Sequence, residues 1–585
     1  MRRFFKPFVV ILTAITCVFS AGCKNGCNPF HFHKYNQKIT EEQYLKEKAT
    51  CQNSSVYYYS CKCGKAGEET FKDFVTLPHD YSAKVEDEKY LKTPANCQHG
   101  AEYFYSCTTC GLSLNLGRSF LSDVLGDHEY NLEVPDGALI KEEATKSSSA
   151  VYYKSCVCGA KGTETFSYGE PLRDYNYSEK QAYRPTSLTI SLYDTQNSIY
   201  GFTFNTSSRP LRAVIQIAKG SSLTNYEEYP VHTEKATSND ESGIIEYYVS
   251  KVEIKLDESS TYTYRIYDKY VDISTATVTL STKDLSANSF SFAHVSDSQS
   301  SGNTGSLFGA VLSNIVGVND FVLHTGDVVE NSYLENEWEN MLHDNFDYLS
   351  KIPVMAISGN HETTYQAGSN ETYKHFNNKI PYQSTSLGYF YSFTYGNAKF
   401  IMLNTNDLTG NRLKSNQYDW LINELENNDK TWTFVALHNP VYSPGSYGSN
   451  PEKNSISLSL QNQLQGIFAQ FNVDVVLQGH DHVISRTHPI SSDGRVTSET
   501  WQIDGGISYS LNPKGVIYVM NGPAGNQTRS PYENAGLATY YYAKDSKICS
   551  WATFEINGNV LTVTVKNYSD GSVKTYATWG IKKTI

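Results

Sequence analysis

The chain has 585 residues, more than one compact domain usually holds, with 39% apolar and 19% charged side chains, as in ordinary folded protein. Its formal net charge of -12, from 49 basic and 61 acidic residues, excludes a basic nucleic-acid-binding face and would repel an anionic ligand at long range. Tyrosine is unusually common, at 45 residues, which suits sheet surfaces.

Residues 1–22 read as a targeting segment. Arg2 and Arg3 give a positive start, and the apolar run Phe8 to Phe19 is too short to span a bilayer. Ser20-Ala21-Gly22 before Cys23 is similar to a bacterial lipoprotein signal, in which Cys23 becomes the lipidated first residue; ordinary cleavage near Ala21 is the alternative. The expectation is an exported protein, held at the cell surface by a lipid on Cys23 or otherwise secreted. That lipid would be its membrane contact.

Residues 23–170 contain three copies of one unit, read by self-similarity. A 46-residue offset carries His33 to His79, Cys51 to Cys97 and Cys61 to Cys107. Cys63-Gly64 and Cys110-Gly111 close the first two copies, and copy three has Lys146 in place of the first Cys. Each unit reads as a small hairpin module that needs a staple. Two staples stand open. An exported chain favours disulfides. Three Cys per copy leave one thiol over, whereas adding the recurrent His gives a closed tetrahedral zinc set. Those sets would be His33, Cys51, Cys61 and Cys63 in copy one, and His79, Cys97, Cys107 and Cys110 in copy two. The repeats are also candidates for binding a surface partner.

Arg173 to Gln181 lacks apolar periodicity and reads as a linker. Residues 184–285 then show seven short alternating strands, starting at Ser187, Ile199, Arg212, Ile244, Val252, Thr261 and Thr275. That pattern predicts an all-β sandwich, fibronectin type III-like.

Residues 290–585 change character. Six apolar runs each end in polar residues: Ser296-Asp297 with Gln299, Gly326-Asp327, Asn360-His361-Glu362, Asn404, His438, and His480-Asp481-His482. Leu307, Phe308, Val311, Leu312, Ile315 and Val316 share a helix face, as do Leu334, Trp338, Met341, Leu342 and Phe346. Strands alternating with helices predict a largely parallel sheet with ligands beyond the strands' carboxyl ends. Later strands near Trp501, Gly515, Ser550 and Val560 predict a second sheet, making a layered αββα sandwich.

Asp, Asn and His supply O and N donors without thiolate, which suits Fe, Mn, Zn or Mg. Asp297, Asp327, Asn360, His438, His480 and His482 are six donors, enough for two ions sharing a bridging carboxylate. Two such ions clamp a phosphoryl centre for hydrolysis.

The ordered series Asp297-x-Gln299, Gly326-Asp327, Gly359-Asn360-His361-Glu362, His438 and Gly479-His480-Asp481-His482 resembles the calcineurin-like metallophosphoesterase superfamily, most closely its purple-acid-phosphatase-like branch. Arg486-Thr487 and Val519-Met-Asn-Gly522 look like that branch too, and the resemblance runs from Arg184 to the C-terminus. It implies that Asp297, Asp327 and His482 bind one metal and that Asp327, Asn360, His438 and His480 bind the other. It implies that His361 contacts the phosphate and protonates the leaving oxygen, with Arg486 a second catalytic residue. Gln299 stands where the wider superfamily often has His, and would ligate through its amide oxygen. Glu330 stands where purple members have the colour-giving Tyr, so no purple ferric centre is expected. His294, His324 and Glu362 are expected to orient the ligands.

The predicted protein is thus an exported dinuclear metallophosphoesterase acting on phosphate esters by metal-hydroxide attack. The alternatives are a phosphodiesterase rather than a monoesterase, or a surface-binding protein with a weak hydrolase domain.

Overall fold

The structure, a computed structural model, describes residues 32–584 except 98–99, 114–118, 241–242, 300–304, 364–370, 382–388, 526, 533–538 and 543–547. The expected targeting segment and Cys23 lie outside the described residues. Among the described residues, no helix is long and apolar enough to cross a membrane. The chain divides into two compact units, residues 1–128 and 129–585.

The first unit holds two copies of the repeat. Copy one has a turn of 3-10 helix, Glu42–Tyr44, and three antiparallel strands, Leu45–Glu47, Val56–Ser60 and Ala66–Lys72. Copy two repeats this with Glu88–Tyr90, Leu91–Thr93, Gly100–Phe104 and Ser119–Leu125. The core of each is small and centred on one buried tyrosine, Tyr44 with Cys61 and Phe71, or Tyr90 with Ala101 and Cys107. The tyrosine hydroxyl donates to the Gly64 carbonyl (3.0 Å) or the Gly111 carbonyl (2.7 Å). So small a sheet has too little apolar area to be stable unaided.

This geometry corrects the grouping of cysteines within single copies. Cys51 precedes the strand Val56–Ser60, whereas Cys61 and Cys63 follow it. They stand at opposite ends of a strand about 17 Å long, at ~3.3 Å per residue. Cys97 is separated in the same way from Cys107 and Cys110 by Gly100–Phe104. The structure instead gathers Cys51 with His79, Cys107 and Cys110, and His33 with Cys61 and Cys63. None of the nine described cysteines is in a disulfide.

The second unit begins with copy three, built from Gly137–Leu139, Ile140–Glu142, Ala150–Ser155 and Lys161–Tyr168. It is docked on the all-β domain that follows. Arg212 donates to the Glu143 carboxylate at 3.0 and 3.1 Å, Tyr270 donates its hydroxyl to the same carboxylate, and His232 lies between Asp136 and Glu234.

The all-β domain has two antiparallel sheets. One runs Thr186–Asp194, Ile199–Thr206, Gly243–Lys255, His232–Asp240. The other runs Glu227–Pro230, Ala213–Lys219, Thr261–Asp268, with Ile273–Ser274 and Val278–Ser281 both paired to the last of these. Phe202 of the first meets Tyr264 of the second edge-on, so the sheets face each other across a core. The expected separate strands at Ile244 and Val252 form one continuous strand, because Ser250 and Lys251 keep the extended backbone and pair with Phe204 and Thr203.

Residues 289–582 form two packed sheets. In the first, Ser289–Val295 pairs in parallel with Phe321–His324, which pairs in parallel with Val354–Ala356. On its other side, Ser289–Val295 pairs antiparallel with Cys549–Asn557, and Val560–Ser569 and Ser572–Lys582 follow. In the second, Ala398–Met402, Trp432–Ala436, Val475–Gln478 and Ile517–Asn521 are successive parallel neighbours. The late strands were expected to form the second sheet by themselves. They divide instead, those from 549 onward extending the first sheet and Ile517–Asn521 the second.

Phe292 packs edge-on against Phe400 and Phe434, joining the sheets through one aromatic core. Helices Gly305–Leu312 and Glu335–Leu342 cover one outer face around Trp338 and Trp551. Helices Ser415–Glu426 and Ser455–Gln470 cover the other around Leu421, Leu464 and Phe468. The layers are therefore helix, sheet, sheet, helix.

The β-sandwich packs against the first sheet's edge. Ser191 donates to the Val354 carbonyl (3.2 Å) and Tyr264 to the Ser350 carbonyl (2.7 Å). Gly201 is required here, since a Cβ would lie 2.4 Å from the Asn377 carbonyl oxygen.

Candidate metal centre

The polar residues predicted to act as ligands all lie just past strand ends. Asp297 follows Ser289–Val295, Asp327 follows Phe321–His324, and Asn360 and His361 follow Val354–Ala356. His438 follows Trp432–Ala436 in the other sheet, and His480 and His482 follow Val475–Gln478. Parallel strands of both sheets thus deliver their ends to one place. The backbone must turn sharply to do so. Asp297, Asp327, His480 and His482 adopt φ of 52°, 56°, 74° and 52°, a conformation side-chain-bearing residues rarely take. Such strain persists where the surroundings over-determine it, as at functional sites. Gly359 lets two of these turns approach, because a Cβ there would sit 2.0 Å from Asp327 Oδ1.

Two groups of metal-capable atoms result. Asp327, His438 and His480 form one, Asp297, Asp327 and His482 the other, each with its donor atoms within 4.8 Å of one another. Asp327 belongs to both. His438 Nε2 lies 3.2 Å from Asp327 Oδ2 and 2.9 Å from Asn360 Oδ1, which adds Asn360 to the first group. His482 Nε2 lies 3.4 Å from Asp297 Oδ1. The other ring nitrogens are committed: His438 Nδ1–H donates to the Thr325 carbonyl (2.8 Å) and His482 Nδ1–H to the Gln527 carbonyl (2.9 Å). Each Nε2 lone pair is thereby aimed inward, as a metal-binding histidine requires.

Gln299 enters the same site. Its Nε2 lies 3.2 Å from Asp327 Oδ2, and its buried Oε1 meets no donor among the described residues. A buried amide oxygen without a donor is costly, and a cation would satisfy it. The residues present therefore fit a pair of hard or borderline cations, with O and N donors and no sulfur.

The electrostatics agree. Asp297 and Asp327 are fully buried, which alone would push their carboxyls up, yet the adjoining histidines hold Asp297 down at about 2 and Asp327 lower still. Burial, reinforced by the neighbouring His438, pushes His480 down to about 3, so its imidazole is neutral and able to ligate.

The bracing residues are equally well defined. Glu362 accepts the backbone N–H groups of Asp327 and Val328 (2.9 Å each) and of Gly359 (2.6 Å), tying two ligand-bearing turns together. His294 bonds Thr325 Oγ1 at 3.1 Å and Asn521 at 3.0 Å, and His324 bonds Ser298 Oγ at 2.9 Å. Both histidines support the turns from behind. Asp481 accepts the N–H groups of Tyr447 (2.9 Å) and Gly448 (3.0 Å).

His361 sits at the mouth. Its Nδ1–H donates to the Glu330 carbonyl (2.6 Å), leaving Nε2 facing the site 3.8 Å from Asp327 Oδ2, with 22% of the side chain exposed. The Glu330 carboxylate is not among the groups brought to either metal position.

Arg486 is a correction. Its side chain is wholly buried, its guanidinium pairs with Glu499 at 2.8 Å, and it lies 4.6 Å from the centre of the Trp579 ring. It sits within the strand Ile484–Thr487 and is sealed beneath Trp501 and Trp579, so it reaches no substrate. Two further residues stand at the site; the sequence points to the loop Tyr442 to Asn454 for substrate-shaping contacts but does not single out Tyr447 or Arg529. Tyr447 lies with its ring centre 4.3 Å from that of His480, and the exposed Arg529 reaches the His480 carbonyl at 3.4 Å. The Ser-, Gly- and Pro-rich segment around Tyr447 was the only signal for the first, and Arg529 had none.

Residues 290–484 match the family model described as calcineurin-like phosphoesterase. Among curated proteins, the chain is 26% identical over 193 residues to purple acid phosphatase 15 of Arabidopsis thaliana, covering 32% of each chain. It is 26% identical over 235 residues to acid phosphatase type 7 of Homo sapiens, covering 36% of this chain and 50% of that one. The matches thus span from about a third to half of the length of those relatives. The solved purple acid phosphatase PPD1 from yellow lupin seeds superposes with a TM-score of 0.56 at 16% identity, covering 74% of this chain and 80% of that one. That likeness shows a shared fold. The chain therefore carries a calcineurin-like phosphoesterase domain with purple acid phosphatase relatives.

Proposed function

We propose that this chain is an exported phosphoesterase that uses two metal ions to hydrolyse phosphate esters. The observation that carries the proposal is Asp327, a buried carboxylate shared by two otherwise separate ligand groups. Asp297, Asp327, His482 and the Gln299 amide oxygen would hold one ion, and Asp327, Asn360, His438 and His480 the other. When bound, such a pair activates water and offsets the negative charge of the phosphate oxygens.

The chain's own residues do the rest. His361, fixed by the Glu330 carbonyl, holds Nε2 at the mouth, where it can hand a proton to the departing oxygen. Arg529 places a fixed positive charge at the rim beside His480 and draws the anionic ester into a chain that is negative overall. Tyr447, held through Asp481, forms one wall of the cleft. The fibronectin type III-like sandwich braces the edge that carries Asn360 and His361, through Ser191 and Tyr264. Export rests on Arg2, Arg3 and the apolar run before Cys23.

The test is hydrolysis of a panel of phosphomonoesters and phosphodiesters by metal-free protein reloaded separately with Fe, Mn, Zn and Mg. The expected result is metal-dependent turnover, with the preferred ester class read from kcat/KM. Equal activity with and without metal, or none with any metal and ester, overturns the proposal.

A further inference from the structure

The repeats bring together a second kind of ligand set, of thiols and imidazole, distinct in chemistry from the Asp, Asn and His set. We propose that Cys51 of copy one, together with His79, Cys107 and Cys110 of copy two, binds one zinc ion that locks consecutive copies together.

The distances are those of a tetrahedron. With Zn–S near 2.3 Å and Zn–N near 2.0–2.1 Å, two sulfurs should stand about 3.8 Å apart and a sulfur and a nitrogen about 3.5 Å. Cys51 Sγ and Cys107 Sγ are 3.8 Å apart, and Cys110 Sγ is 3.3 Å from His79 Nδ1. All four donor atoms lie within 4.8 Å of one another. A disulfide would need the two sulfurs near 2.05 Å, and it would leave Cys110 and His79 without a role.

The local backbone is built for thiolate. Backbone N–H groups of Thr109 and Cys110 point at the Cys107 sulfur. The turn closes through Gly111, whose φ of 69° and N–H bond to the Cys107 carbonyl (2.9 Å) bring Cys107 and Cys110 to the same side. Copy one closes a turn one residue shorter, with the Gly64 N–H on the Cys61 carbonyl (2.8 Å), Gly64 at φ 86° and Cys63 Sγ 3.4 Å from His33 Nδ1. That group has three ligands among the described residues, because its own Cys51 is given to the next copy. On binding, three thiols release their protons to solvent and the imidazole gives its neutral lone pair. The free energy of binding becomes folding free energy for modules that each bury only a few apolar side chains.

The arrangement fixes the order of stabilisation. Removing Cys51 should damage the site in copy two and spare the turn in copy one, the reverse of what grouping within a copy requires. The experiment uses the full chain, zinc-loaded, as wild type, Cys51→Ser and Cys51→His. Each is exposed to an alkylating reagent without denaturant, with and without chelator, and modified cysteines are mapped by mass spectrometry. In the wild type, Cys107 and Cys110 should be modified only after chelation. In Cys51→Ser they should be modified without chelator, and one zinc per chain should be lost, while Cys61 and Cys63 react as in the wild type. Cys51→His, which restores a ligand, should restore protection and separate loss of zinc from loss of fold. Exposure of Cys61 and Cys63 in place of Cys107 and Cys110, or a Cys51–Cys107 disulfide in folded wild-type protein, overturns the proposal.

Discussion

Replacing Glu362 with Ala should loosen the metal centre without touching a metal ligand. The carboxylate accepts three backbone N–H groups, from Asp327 and Val328 at 2.9 Å and from Gly359 at 2.6 Å, all buried. Alanine leaves those donors without acceptors in a space too tight for easy relaxation, since Gly359 already abuts Asp327. An orphaned buried donor costs about 1–3 kcal/mol. Three sharing one acceptor are not additive, so about 3–6 kcal/mol is expected, a large part of the ~5–15 kcal/mol that holds a typical domain. The turn carrying the shared Asp327 would lose its tie to the turn carrying Asn360. Removing such a bracing partner typically weakens metal binding about 10–100-fold. Glu362→Gln should be milder, because its amide oxygen can still accept from Asp327 and Gly359 and orphans only the Val328 donor. Denaturant unfolding of metal-free protein and competitive metal titration read the two effects. Wild-type stability and wild-type metal affinity in Glu362→Ala would show that Glu362 does not brace the two turns.

Four further outcomes are expected. Arg486→Ala should lower stability by about 3–5 kcal/mol, as removing one partner of a buried ion pair does, while the folded fraction keeps its kcat. His361→Ala should slow hydrolysis of esters with poor leaving groups about 10²–10⁴-fold and spare activated ones, with metal content unchanged. Burial raises the Glu335 carboxyl from 4.5 to about 8 despite the Asn205 amide at 2.8 Å, so the folded state holds its proton more tightly than the unfolded state. Stability should therefore fall as pH rises from about 4.5 to about 8, and Glu335→Gln should remove that slope in urea melts across this range. Iron-loaded protein should lack a purple band, since Glu330 replaces the expected tyrosine and no carboxylate gives that charge transfer.

The candidate metal centre was legible because its residues are polar and interrupt apolar strands, and strand ends in such sheets converge. Asp297, Asp327, Asn360, His438, His480 and His482 came together as their order suggested. Arg486 was not legible, because sequence does not say which face of a strand a residue takes, and here that face lies against Trp579. The edge strands Glu227–Pro230 and His232–Asp240 were missed because their residues are mostly polar and carry no alternation. Helix Ser455–Gln470 was masked by its Ser and Gln content, although Leu460, Leu464 and Phe468 mark a buried face. The partner of Cys51 depended on how two copies stack, a relation between modules that the 46-residue offset describes only within the chain. The grouping within a copy expected from the sequence fails because the strand between the cysteines sets them a strand's length apart.

The central claim is that Asp327 bridges two metal ions. Electron paramagnetic resonance of metal-free protein reloaded with Mn(II) tests it most directly. An exchange-coupled signal from a manganese pair is expected in the wild type, replaced by the spectrum of isolated ions in Asp327→Asn together with loss of phosphoester hydrolysis. Only isolated-ion signals in the wild type at full loading, or a coupled pair and full turnover in Asp327→Asn, would contradict it.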